Sequence, residues 1–382
     1  MDYNEGFTLP AAIELDTWLA YRRREDDLVR VVSRHSREGS SFSIDTVAPS
    51  AASSPGSGTA IAAASGFGSG TAIGAALGSA PGPRRWSDYV AGTAWSLREA
   101  DIPTYGFDGV VDTTLPIGAG LGSSAALELV SALALIGPSR VLAPPSLAAL
   151  AQRAERDYMG IDAGIVDQLA VAAGRVDRAL LLDCRSLDFR YVTMPFGVRV
   201  VVCDTGEKRD SRPSANVTRR AECARAVALL AEQIPGLCSL RDLDASSLRR
   251  YRGILPDNVA ARAEHVVAEN ARVLAAAAAM DAGDLDEVSR IFAESHASLR
   301  DRYGVSSAAL DTMVEVALAI PGVIASRMTG LGFGGCTVNL VLADAVPALQ
   351  AAVGREYDGR TGLHGAVYPV GVVEGAGPVR LG

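Results

Sequence analysis

Gly118, Gly120 and Gly122, alternating along a short loop that ends in Ser123 and Ser124, constrain this chain more than any other stretch. Ahead of them, Phe107 to Asp112 reads as a strand. Behind them, from Ala125 to about Ile136, runs an apolar, helix-favouring segment. A strand, a glycine-rich loop and a helix N-terminus in that order let the backbone approach an anion, and the free N–H groups and dipole of the helix start attract it. Ser123 and Ser124 add hydroxyls able to bond phosphate or to ligate a hard cation such as Mg2+. A tight structural connection is the other reading of the same glycines. Two familiar phosphate-loop templates fail. GxxxxGK[ST] is absent, because the only lysine is Lys208, and GxGxxG is broken by Ser123 where the last glycine should stand.

With 382 residues, 48% of them hydrophobic, the chain can bury a sizeable core and is long enough for two domains. Its net charge of −8, with both signs interspersed, argues against nucleic acid or an anionic membrane as a partner. There is no apolar run long enough to span a bilayer and no signal peptide. The cysteines (Cys184, Cys203, Cys223, Cys238, Cys336) are scattered without CxxC spacing and read as free thiols in a cytoplasmic protein. His35, His265, His296 and His364 are equally dispersed, which gives no sequence-local metal cluster.

Strand-like pieces open the chain at Phe7 to Ile13, Thr17 to Tyr21 and Val29 to Ser33. Residues 38–84 then turn to Gly, Ala, Ser, Thr and Pro, with Gly56 to Ile61 echoed at Gly68 to Ile73, and read as a flexible insertion. Helical patterns are expected from Trp86 to Ala100 and from Ser146 to Met159, ended by Gly160. Asp167 lies in a glycine-flanked apolar segment, Gly160 to Gln168, where it is either a poised base or an ordinary helix-start carboxylate. Strands at Ala179 to Asp183 and Val198 to Asp204 bring the first half to an end near residue 195. This yields an expected N-terminal domain over 1–195, carrying the 38–84 insertion, and a C-terminal domain over 196–382. The second half is more helical, at Asn216 to Gln233, Pro256 to Ala282, Asp284 to Arg302 and Ser306 to Ala319. A second glycine-rich stretch, Ser326 to Cys336, precedes a strand at Thr337 to Leu342.

Four of these segments, in this order, resemble the galactokinase family of the GHMP sugar and small-molecule kinases: Asp2 to Pro10, Pro116 to Ala126, Ala151 through Gln168, and Arg327 to Cys336. The likeness spans nearly the whole chain outside the insertion. It implies an α+β fold of two domains, with nucleotide and sugar in the interdomain cleft. It also implies ATP-dependent phosphorylation of galactose at its anomeric hydroxyl, giving galactose 1-phosphate, with ATP and Mg2+ as cofactors. By match of motif, Gly118, Ala119, Gly120, Leu121, Gly122, Ser123 and Ser124 would hold the ATP phosphates. Ser124 and Glu155 would hold Mg2+, Asp167 would face the sugar hydroxyl as the catalytic carboxylate, and Asp2 would bond the sugar. These roles agree with the needs of phosphoryl transfer: positioned phosphates, a metal held by few protein oxygens, and an oriented nucleophile. The implied setting is cytoplasmic carbohydrate metabolism, with a small-molecule sugar and ATP as partners.

The chain departs from the family pattern in four places. The run Gly-Arg-x-Asn-Leu-Ile-Gly-Glu-His-Thr that precedes Asp-Tyr-Asn in the family is missing, and Met1 occupies its Thr position. That run supplies an Arg beside the catalytic Asp, so the expectation is a true start upstream of Met1 and weak or absent activity for residues 1–382. Ala163 replaces a usual Cys, and Gly122 replaces the first of three serines. Asn216 stands where galactokinases usually place a sugar-contacting Tyr. Two alternatives therefore stand beside galactose phosphorylation: a kinase for galactosamine, galacturonic acid or arabinose, and a non-catalytic sugar and ATP sensor.

Overall fold

The computed structural model describes residues 1–49, 85–116, 118–207 and 213–379, without the side chains of 213–216. Its strands are β1 (Phe7–Thr8), β2 (Thr17–Arg23), β3 (Leu28–Ser33), β4 (Gly39–Ser43), β5 (Phe107–Thr113), β6 (Arg178–Asp183), β7 (Phe189–Thr193), β8 (Val198–Asp204), β9 (Val323–Met328), β10 (Cys336–Leu342) and β11 (Ala366–Val370). Its α-helices are α1 (Ser87–Arg98), α2 (Ser123–Ile136), α3 (Pro144–Arg153), α4 (Val166–Ala173), α5 (Pro213–Ala231), α6 (Ala245–Tyr251), α7 (Asp257–Ala282), α8 (Leu285–Ser298), α9 (Ala308–Leu318), α10 (Val346–Ala352) and α11 (Asp358–Thr361). The chain packs as two compact units that do not follow chain order. One comprises Met1–Thr17, Thr113–Ala126 and Gly164–Gly377, and the other is built on Trp18–Asp112 and Leu127–Ala163.

In the first unit, β8 and β10 are the central strands of an antiparallel sheet ordered β11-β8-β10-β9, with Val202 opposite both Val338 and Tyr368. Residues Val200 to Cys203 are all buried, the continuous apolar run expected of a strand covered on both faces. A second sheet, β1-β6-β7, pairs Phe7 with Asp183 and Thr8 with Leu182. Helices α5 and α7 share a core built on Cys223, Leu230, Val259, Ala263 and Val266. Helix α7 ends at Gly283, whose φ of 70° closes the helix in the left-handed region that glycine enters without strain.

In the second unit the sheet runs β2-β5-β3-β4. Strands β3 and β5 are parallel, with Val29 opposite Phe107, while β3 and β4 are antiparallel. Along β3, Val29, Val31 and Ser33 are buried and Arg30 and Val32 exposed, the period-two pattern of a sheet with one covered face. Helix α1 closes on the turn after α3 at Gly92, where a β-carbon would sit 2.9 Å from the Tyr158 ring.

The structure corrects several expectations. The start of the 38–84 insertion is ordered sheet: β4 pairs Phe42 with Val29 and Ser40 with Val31, so a small-residue composition did not prevent strand formation beside an apolar partner. Residues 50–84 lie outside the described residues. The helix expected to reach Met159 leaves α-geometry after Arg153 and finishes as a π-helical turn, Ala154–Tyr158. The helix expected to reach Arg302 does the same over Leu299–Tyr303. Only Phe7–Thr8 of the first strand-like piece is a strand, with Ile13 contributing a single bridge to Val372.

Candidate active site

The glycine-rich loop takes the conformation its composition allows. Gly118, Gly120 and Gly122 have φ of 82°, 80° and 72°, a region that costs other residues backbone strain. Ser123 and Ser124 form the first turn of α2, and Ala126 donates its N–H to the Gly122 carbonyl at 3.0 Å. The N–H groups of that first turn are free of intrahelical partners, as a phosphate cradle requires.

Asp167 comes to this loop. It lies in the first turn of α4, exposed, between the half-buried Val166 and the buried Gln168 and Leu169. A β-carbon on Gly122 would stand 3.4 Å from Asp167 Cβ and 3.6 Å from its Oδ2. Asp167 therefore walls the space that a side chain at Gly122 would occupy, although 45 residues separate the two in the chain.

Asp2 reaches the same chain segment from another direction. Its carboxylate lies over Gly164, where a β-carbon would sit 2.6 Å from Asp2 Cγ and closer still to Oδ2. Asp2 Oδ1 accepts the Tyr3 N–H at 2.8 Å, which fixes the carboxylate on its own turn. Beneath that turn, the buried Asn4 donates to Cys223 Sγ at 3.8 Å, and Cys223 in turn lies 3.8 Å from the Tyr303 hydroxyl. Burial, and secondarily the charge of Asp2, push the Tyr303 hydroxyl up. Burial raises the Cys184 and Cys223 thiols to about 11, so both are protonated at neutral pH and neither is a nucleophile.

The third glycine motif continues from β9. Gly330, Gly332, Gly334 and Gly335 all have positive φ, and the loop is tied by Phe333 N–H to the Val305 carbonyl at 2.8 Å. Arg327, at its root, meets the buried Glu269 of α7 at 3.2 Å. Burial would raise that carboxyl, but Arg327, His265, Arg272 and the Ser295 hydroxyl hold it down to about 2.

Of the two residues expected to hold Mg2+, Ser124 lies in the first unit and Glu155 in the second. Glu155 is buried in the π-helical turn, a local distortion common at functional sites. A hydroxyl and a carboxylate are hard oxygen donors, and Mg2+ takes few of them from protein. Asn216 lies in the first turn of α5, its side chain outside the described residues. Sequence reading missed Gly164, whose signal was a glycine three residues before a candidate base.

Residues 88–175 match the GHMP kinases N terminal domain, and residues 276–359 the GHMP kinases C terminal domain. With the glycine loop, the adjacent carboxylate and this pairing of domains, the chain is a kinase of the GHMP class. A mevalonate kinase structure shares the fold at 15% identity and a TM-score of 0.61, covering 98% of this chain and 95% of its own. Galactokinase from Chloroflexus aggregans is far more similar, 39% identical over 377 residues, which is 98% of this chain and 88% of that protein. Galactokinase from Roseiflexus sp. is 38% identical over 379 residues, 99% and 89% of the two chains. The structure of Lactococcus lactis galactokinase complexed with galactose superposes with a TM-score of 0.84 at 30% identity, covering 98% of this chain and 90% of that one. The chain belongs to the galactokinase family and is accordingly a phosphotransferase.

Proposed function

We propose that this chain transfers the γ-phosphoryl group of ATP to the anomeric hydroxyl of galactose, giving galactose 1-phosphate and ADP. The observation that carries the reading is the place of Asp167 beside the glycine loop, 3.4 Å from where a β-carbon on Gly122 would stand, which supports a carboxylate acting beside bound phosphates. In this reading the backbone of Gly118 to Gly122, with Ser123 and Ser124, cradles the phosphates. Asp2 hydrogen-bonds sugar hydroxyls from its seat over Gly164, and Asn216 contributes at the sugar end. Asp167 accepts or polarises the proton of the anomeric hydroxyl as that oxygen bonds to phosphorus and ADP leaves. Ser124 and Glu155 would hold Mg2+, which neutralises phosphate charge when bound. No helix among the described residues is long and apolar enough to cross a membrane. A cytoplasmic setting is part of this proposal through the likeness to the galactokinases. The domain division at residue 195 is kept as part of the proposal, the two family matches falling on either side of it.

Residues 1–382 by themselves are expected to be weakly active or inactive without the family's upstream run, so the test is a coupled ADP-release assay on the chain with that run restored ahead of Met1, with Mg2+, ATP and a panel of galactose, galactosamine, galacturonic acid and arabinose. The highest kcat/KM is expected for galactose. A different preferred sugar would move the assignment to that sugar, and turnover on none of them would remove the catalytic reading.

A further inference from the structure

Asp2 sits on a turn that the sheet by itself holds weakly. The turn, Asp2–Asn4, leads through Glu5 at a left-handed φ of 55° into β1, which pairs with β6 through two residues only. Strands this short do not fix a neighbouring loop. Asn4 ties the turn to Cys223 and Arg220 lies over the Tyr3 ring, Cζ 4.6 Å from its centroid, but the exit of the turn at Glu5 needs a hold of its own.

Arg241 supplies it. One guanidinium nitrogen, Nη1, donates to the Glu5 carbonyl at 2.7 Å and to Asp183 Oδ1 at 2.7 Å, while Nη2 donates to Asp183 Oδ2 at 2.6 Å. The plane of the same group lies over the Phe7 ring, Cζ 3.9 Å from its centroid. Arg241 thus grips the turn at Glu5, β1 at Phe7 and β6 at Asp183. The grip is itself braced. Arg185 donates to Glu5 Oε2 at 2.8 Å and pairs with Asp242 at 2.7 Å, and the Leu240–Asp242 turn is closed by a capping box between Ser239 and Asp242. The hydrogen bonds from Arg241 hold the Asp183 carboxyl down to about 2, so the pair is ionised across the working pH range. From the far side, Asn270 accepts the Phe7 N–H at 3.0 Å.

We propose that Arg241 is a positioning residue for the sugar: it clamps the Asp2 turn and thereby sets sugar affinity without touching substrate. Among the described contacts, its partners all lie on the Asp2 side (Glu5, Phe7, Asp183) and none belongs to the glycine loops. The effect is therefore on the sugar and not on ATP. The inference rests on the reading that Asp2 contacts the sugar. Lysine cannot replace the arginine fully, because it lacks the planar fork that engages carbonyl and carboxylate together and that stacks on a ring.

The experiment compares wild type, Arg241→Lys, Arg241→Ala and Asp2→Asn by steady-state kinetics and by amide hydrogen exchange of the segment from Asp2 to Thr8. Arg241→Ala is expected to raise the galactose KM about tenfold, leave the ATP KM within about twofold, and speed exchange in that segment while α7 keeps its protection. Arg241→Lys should fall between, which also covers the case in which the alanine variant folds poorly. Unchanged exchange in both variants overturns the clamp, as does a parallel rise in both KM values. If Asp2→Asn leaves the galactose KM untouched, the assignment of Asp2 fails instead, and the exchange result alone decides whether Arg241 holds the turn.

Discussion

Substituting Gly164 by alanine adds one methyl group at the place where Asp2 rests, and the structure fixes its consequence. The new β-carbon would stand 2.6 Å from Asp2 Cγ. Ordinary carbon–carbon contact begins at about 3.5 Å, so the carboxylate must retreat by at least about 1 Å, its Oδ2 standing closer still. The backbone at Gly164 is not in the left-handed region, so alanine adds no conformational strain there and the effect is one of space alone. A misplacement of about 1 Å in a substrate-orienting group costs on the order of a hundredfold, about 2.7 kcal/mol. Gly164→Ala should therefore lower kcat/KM for galactose by about two orders of magnitude, with the ATP KM little changed. The double variant with Asp2→Asn should be much less than additive, because both changes remove one interaction. The assay is coupled ADP release with each substrate varied in turn, alongside thermal melts to confirm folding. A Gly164→Ala enzyme with wild-type galactose kinetics, or strict additivity with Asp2→Asn, would refute the placing of Asp2 as a sugar ligand.

Asp167→Asn should reduce kcat by about 10²- to 10⁴-fold while ATP still binds, as read by nucleotide protection against thermal unfolding. Gly122→Ala places a side chain at a φ of 72° and against Asp167; it should cost about 1–2 kcal/mol in stability and depress kcat, read by chemical denaturation and steady-state turnover. Burial lowers the His265 imidazole to about 3 against an unfolded value near 6.5. Between those values the unfolded chain binds a proton that the folded chain does not, so stability falls as pH drops from 6.5 and is unaffected by this group above it. His265→Gln should flatten that part of the melting-temperature profile, and an unchanged slope would assign it to other groups.

What the sequence disclosed was the chemistry written in consecutive residues. The glycine loop needed only its own spacing and the helix behind it. Asp167 announced itself as a carboxylate in a glycine-flanked segment, and the motif likeness gave it a role. The contacts that place the site are long-range and left no local trace. Arg241 and Glu5 are 236 positions apart, and Phe7 and Asn270 are 263 apart. Composition misled at β4, where glycine and serine pair with β3 because Val29 and Val31 offer an apolar neighbour. Glycines also masked β9, whose Ser326 and Arg327 pair with β10 although they read as the start of a glycine-rich loop. The strand β7, Phe189–Thr193, went unread between two stronger strands.

The central claim is that a carboxylate beside the phosphate loop directs phosphoryl transfer to one hydroxyl of galactose. Phosphorus NMR of the product formed from galactose and ATP tests it most directly. A single sugar phosphate is expected, its phosphorus coupled to the anomeric proton, and lost when Asp167 becomes asparagine. A phosphate on any other hydroxyl, or the same product formed undiminished by the Asp167→Asn enzyme, would contradict it.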